Sequence, residues 1–134
     1  MATSIDIGLA PEGLQSLALA HLGELQEGEG HAGDAARSYQ KGLTADDGSE
    51  DRRGAGIDWM NYGQFLRRHG AAERLVLACL LRAEELLSEA PKDERDLAAK
   101  ARAESEKRAG GQAARVKQER DAVLHEALAA TVEK

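Results

Sequence analysis

Four aromatic residues, two prolines and one cysteine are all that 134 positions hold of these types, and each shortage removes a class of protein. A lone Cys79 permits no intramolecular disulfide and no cysteine-based metal site, and it fits a reducing, cytoplasmic setting. With aromatics at 3% and Ala, Leu, Glu and Arg dominant, no segment reads as a strand and helices are favoured almost everywhere. No apolar run approaches the ~18 residues of a membrane span. The opening MATSIDIGLA has neither the basic start nor the continuous apolar stretch of a secretion signal. The net charge of −6 argues against a nucleic-acid surface, which needs concentrated Lys and Arg. Acidity gathers at one end: residues 1–50 carry nine acids against two bases, 51–91 six of each, and 92–134 nine against ten.

What is present is helical spacing. After a disordered start at residues 1–10, residues 11–134 read as a single all-α domain. From Pro11, a favoured first-turn residue, Leu14, Leu17, Ala18, Leu22 and Leu25 make an amphipathic stripe that stops at glycines. A second helix follows from about Asp34 and ends in the turn-forming DDGSED at 46–51. A third runs through Trp59, Tyr62, Phe65 and Leu66 to Gly70. A fourth is apolar on nearly all sides between Leu75 and Leu87, which predicts the most buried element, and stops before Pro91. The charged remainder is interrupted by Gly110-Gly111. Each Gly costs about 1 kcal/mol relative to Ala inside a helix, so the pair predicts a turn between two helices, roughly 93–109 and 112–131.

Gly30, Gly70 and Gly110 are each 40 residues apart, and each lies between two helical segments. Counting back, the first hairpin reads Leu19-x-x-Leu22-Gly23-x-x-Gln26-x-x-x-Gly30 and the second Trp59-x-x-Tyr62-Gly63-x-x-Leu66-x-x-x-Gly70. The third, with Ala99, Arg102, Ala103 and Glu106 before Gly110, keeps small residues at two places and loses the large apolar ones. The pattern resembles the tetratricopeptide repeat (TPR), with W-x-x-L-G-x-x-Y in its first helix and a small residue, an aromatic and an Ala in its second. Those second-helix places hold Ala35, Tyr39 and Gly42 in the first hairpin; in the second they hold Leu75, Cys79 and Arg82, a departure. The 40-residue period places the chain with longer variants of the family.

The resemblance implies a right-handed superhelical solenoid of three antiparallel hairpins, about 11–47, 50–90 and 92–131, the third degenerate and capping. Small residues such as Gly23 and Gly63 let paired helices approach closely, and large apolar neighbours fill the seam with the next repeat. It also implies a non-catalytic protein-interaction scaffold without cofactors, whose concave groove docks a partner peptide or amphipathic helix. The groove positions carry over to Ala20, Glu24 and Glu27, then Met60, Gln64, Arg67 and Arg68, then Lys100, Glu104, Lys107 and Arg108. Its middle and C-terminal parts are basic, which favours an acidic partner segment. The family's carboxylate clamp for chaperone tails has a Lys and an Asn where Ala20 and Glu24 stand, so that role is not expected.

The remaining motifs favour bland readings. Gly28-x-Gly30-x-x-Gly33 spells the dinucleotide fingerprint, yet a helix precedes it where a strand is required, so it reads as an interhelical turn. His21, His31, His69 and His125 show no i, i+4 pairing, and Ala129 stands where a zincin places its second His, so no metal site is expected; His31 and His69 read as solvated turn residues. DDGSED lacks calcium-loop spacing. Cys79, among Leu75, Val76, Leu80 and Leu81, reads as a packed thiol and Trp59 as largely buried. The stripe Val116, Val123, Leu124, Ala127 and Leu128 packs back on the second hairpin, or, left exposed, dimerises the chain as a structural module.

Overall fold

Apolar positions at helical spacing form helices along the whole described chain. The computed structural model describes residues 12–46 and 50–132, with side chains from Gln15 onward. The start at residues 1–10, Pro11, the centre of the 46–51 turn and the side chain of Leu14 lie outside the described residues. In order come α1 (Glu12–Gly28), α2 (Ala32–Asp46), α3 (Arg52–Arg68), α4 (Glu73–Leu86), α5 (Lys92–Ala109), a 3-10 turn (Gly110–Gln112), α6 (Ala113–Gln118) and α7 (Arg120–Leu128). No strand occurs among the described residues, and none of these helices is long and apolar enough to cross a membrane.

The periodic glycines lie at the ends of α1, α3 and α5: Gly30 and Gly70 stand two residues past their helices, and Gly110 caps α5 and opens the 3-10 turn. Gly30, Gly70 and Gly110 have φ of 85°, 79° and 59°, a region that side chains with a Cβ avoid, so each reversal falls where only glycine is unstrained. The paired helices then approach closely at the small residues. A Cβ on Gly23 would stand 3.1 Å from the Tyr39 ring, and one on Gly63 would stand 3.1 Å from the Cys79 Cβ.

The core is centred on α4, which packs against α3, α5, α6 and α7. Val76, Leu77, Ala78, Cys79, Leu80 and Ala83 are fully buried, as the all-round apolar character of this segment predicts. Tyr62, Phe65 and Leu66 of α3 complete the seam, with Tyr39 of α2 against Phe65 at a ring separation of 4.9 Å. Trp59 and Cys79 are buried, as expected.

Two expectations change. The helix predicted over 112–131 is broken: Glu119, at φ −108° and ψ 26°, separates α6 from α7. Arg120 at the start of α7 pairs with Glu85 at the end of α4, and Glu126 near the end of α7 pairs with Arg74 at the start of α4, so α7 runs antiparallel to α4. Val116, Val123, Leu124 and Ala127 are buried in the main core, so this stripe packs back. Polar side chains add to the hold on α7. Tyr62 donates its hydroxyl to the Ala127 carbonyl, and Gln40 Nε2 donates to both Tyr62 Oη and the Ala130 carbonyl, each at 2.9 Å.

The second change is the orientation of α1. Its predicted stripe faces outward, with Leu17 at 51% and Leu25 at 65% exposure and Leu22 also exposed, while Ser16, Leu19, Ala20 and Gly23 turn inward against α2. Tyr39 explains this. Its ring lies flat against the glycine position, and a leucine there would be expelled, so the small-residue face wins the packing contest over the more apolar one. Leu22, a repeat-signature position expected in the seam, therefore faces solvent.

Candidate functional site

The side chains singled out for the groove do not converge as one surface. α1 and α3 are tied at their C-terminal ends, where Arg68 grips Glu27 with two hydrogen bonds of 2.8 and 2.9 Å and His69 Nε2 lies 2.7 Å from the same carboxylate. The Arg68 guanidinium, aided by His69 and opposed by burial, holds Glu27 below the usual carboxylate range. His69 is an exposed turn residue, as expected, and it also has a carboxylate partner and a ring contact with Phe65 at 4.6 Å. Above this pair lies a concavity of about 410 Å³ lined by Glu24, Glu27, Tyr39, Asn61, Gln64 and Arg68.

Gln64 and Arg68 stand in this concavity, and Met60 does not. At 7% exposure Met60 belongs to the core, because its helix turns the adjacent Asn61 outward instead. Arg67 leans to the other side, donating to Glu73 of α4 at 2.5 and 3.3 Å, and Ser105 of α5 donates to the same carboxylate at 2.6 Å. Burial alone would raise Glu73, but these partners outweigh it and lower its pKa. Ala20 is buried against α2. Lys100, Glu104, Lys107 and Arg108 are exposed on α5, where Arg108 pairs with Glu104 at 3.1 Å, and they line neither concavity described for this chain. The basic character read from sequence is therefore reduced, since Arg67 and Arg68 are each neutralised.

A second concavity of about 700 Å³ opens between α2, α3, α4 and α7. Leu43, Trp59, Leu86, Leu124 and Leu128 form its apolar surface, and Arg52, Arg82, Arg120 and Asp46 stand around it. The three arginines converge on Glu85: Arg82 and Arg120 bind its carboxylate, Arg120 at 3.0 Å, while Arg52 donates to its backbone carbonyl at 3.2 Å. Beside the cleft, Asp46 shares a hydrogen bond with Asp58, and Ser16 of α1 also bonds Asp58. Burial, then the neighbouring Asp46 carboxylate, pushes Asp58 up to about 8. Asp46 is 8% exposed, and its Oδ2 is buried with no hydrogen-bond partner.

Comparison with known proteins finds no matching family model, no matching curated protein and no matching solved structure. The geometry of the chain therefore carries the functional argument alone. Sequence reading missed both the Asp46–Asp58 pair and the arginine cluster. Asp46 resembled any turn acid, and Arg52, Arg82 and Arg120 lie on three helices with no shared motif. The nearest available signal was an acid, Asp58, one residue before the Trp59 of a helix whose neighbouring positions are core. Among the described residues no group of three His, Cys, Asp or Glu side chains could hold a metal ion.

Proposed function

We propose that the chain is a non-catalytic TPR-like scaffold, a right-handed solenoid of helical hairpins that docks a partner peptide or helix along its α1–α3 groove. The observation that carries this reading is the spacing of the positive-φ glycines Gly30, Gly70 and Gly110, which recur every 40 residues between helical segments. Two ion pairs also join successive first helices, Glu27 with Arg68 at the C-terminal ends of α1 and α3 and Arg53 with Glu94 at the N-terminal ends of α3 and α5.

The groove offers the outward amides of Asn61 and Gln64 to a partner backbone, with Glu24 on one wall and Arg68 on the other. Amides donate and accept at once, so they suit an extended segment whose own backbone groups are unpaired. The exposed Lys100 and Lys107 on α5 favour acids in the part of the partner that reaches past the groove. The lone buried Cys79 supports a cytoplasmic setting.

The test is an affinity capture with the wild-type chain and with Asn61→Ala/Gln64→Ala, two side chains outside the core. Loss of specific captured proteins in the double variant, with an unchanged melting curve and a monomeric wild type in sedimentation, supports the scaffold. An identical captured set, or a wild-type dimer, overturns it.

A further inference from the structure

The 700 Å³ cleft between α2, α3, α4 and α7 shares no lining residue with the α1–α3 groove and plays no part in the scaffold reading. Its size falls within the range of roughly 300–1,000 Å³ common to small-molecule sites. It stays open because α7 is clamped to α4 by Arg120–Glu85 and Glu126–Arg74, while Gln40 of α2 bonds the Ala130 carbonyl just past the end of α7. Leu124 and Leu128 therefore face Leu43 and Trp59 across a gap.

Polar groups stand at both sides of this apolar space. Each guanidinium has five N–H donors. Glu85 takes one from Arg82, one from Arg120 and, through its carbonyl, one from Arg52, and a further Arg120 N–H reaches the exposed Asp121 at 3.3 Å. Most donors of the cluster are left for another acceptor. Asp46 also lines the cleft, but its Oδ2 is wholly buried and its carboxylate is engaged with Asp58, so it offers a ligand no accessible acceptor.

We propose that the cleft binds a small amphipathic organic anion, with its apolar body on Trp59, Leu124 and Leu128 and its acidic head at Arg82 and Arg120. An apolar molecule without charge leaves the arginine donors unused, and a fully polar anion leaves the leucine surface wet; only the combination uses every wall.

Trp59 is the sole tryptophan of the chain and lies in the cleft, so occupancy has its own reporter. The probe is 8-anilinonaphthalene-1-sulfonate, which has an aromatic body and a sulfonate; its uncharged counterpart is N-phenyl-1-naphthylamine. The wild type is expected to bind the sulfonate at one site with energy transfer from Trp59. In Arg82→Gln/Arg120→Gln the sulfonate weakens by about tenfold or more, as loss of charge-assisted hydrogen bonds requires, while the neutral probe is unaffected. Leu17→Gln/Leu25→Gln, which removes the exposed apolar stripe of α1, changes neither. Sulfonate binding that is indifferent to the arginine substitutions, or that vanishes with the α1 stripe, overturns the proposal. If the arginine variant loses its cooperative melt, Thr44→Phe at the cleft wall replaces it; it must abolish transfer from Trp59 to the sulfonate, and retained transfer overturns the proposal equally.

Discussion

The Tyr62 hydroxyl donates to the Ala127 carbonyl across 65 residues of chain. It links the repeat-signature aromatic of α3 to α7, and it accepts from Gln40 of α2, so three helices meet at one oxygen. Tyr62→Phe removes this bond and the one Tyr62 accepts from Gln40, leaving the Ala127 carbonyl only the Ala130 N–H at 3.3 Å. The expected cost is about 1 kcal/mol in urea unfolding. Hydrogen exchange should quicken most in α7, and an exchange pattern unchanged there would refute this role.

Two glycines predict opposite outcomes. A Cβ at Gly63 meets the Cys79 Cβ at 3.1 Å and the Val76 carbonyl at 3.5 Å, neither of them a flexible side-chain end. Gly63→Ala should destabilise by about 1–3 kcal/mol through overpacking. Gly28 has no neighbour within 4 Å of its Cβ position, so Gly28→Ala should be neutral or stabilising by up to ~1 kcal/mol. Thermal melts of the two variants decide it.

Asp58 makes stability depend on pH with a defined sign. Its pKa is raised in the folded chain from 3.8 to about 8, so its favourable contribution is complete below the unfolded value and is lost as pH rises through the folded one. Melting temperature should therefore fall between about pH 4 and pH 8, against the trend set by Glu27 and Glu73, whose lowered pKa values add stability as pH rises. Asp58→Asn keeps a donor for Asp46 and removes the titration. It should melt higher than the wild type near pH 8 and flatten the curve. A wild-type profile matching that of Asp58→Asn would show that this carboxyl does not titrate in the interval.

α1 should be the least protected of the long helices. None of its described side chains joins the main core cluster, and its exposed leucines gain little from folding. Native-state exchange should open α1 at a lower free energy than α4, where six consecutive residues from Leu75 are buried.

Local signals and long-range ones differed in how far the sequence revealed them. The glycine reversals at 30, 70 and 110 were legible because glycines spaced by 40 residues each fall between two helical segments. The burial of α4 was legible because an element apolar on all sides has no alternative. The direction α1 faces was not, since the choice between its leucine and glycine faces is made by the Tyr39 ring, on another helix. The break at Glu119 carries neither Gly nor Pro, and it is the clamp of α7 onto α4 that sets it. Gln64 and Arg68 line the concavity beside α1, whereas Arg67 is diverted by Glu73 and Met60 by the core. The Asp46–Asp58 pair joins two helices and is invisible to any periodicity along one.

Cys79 gives the middle of the molecule a clock. Its thiol is wholly enclosed beside Gly63, burial raises its pKa, and the described chain has no other cysteine. A thiol reagent can reach it only when α3 and α4 part, so alkylation proceeds at the pace of core opening and leaves a permanent mark on each molecule that has opened. Any partner or ligand that braces this seam would slow that pace, and the chain would record its own occupancy as the fraction of sulfur still unmodified.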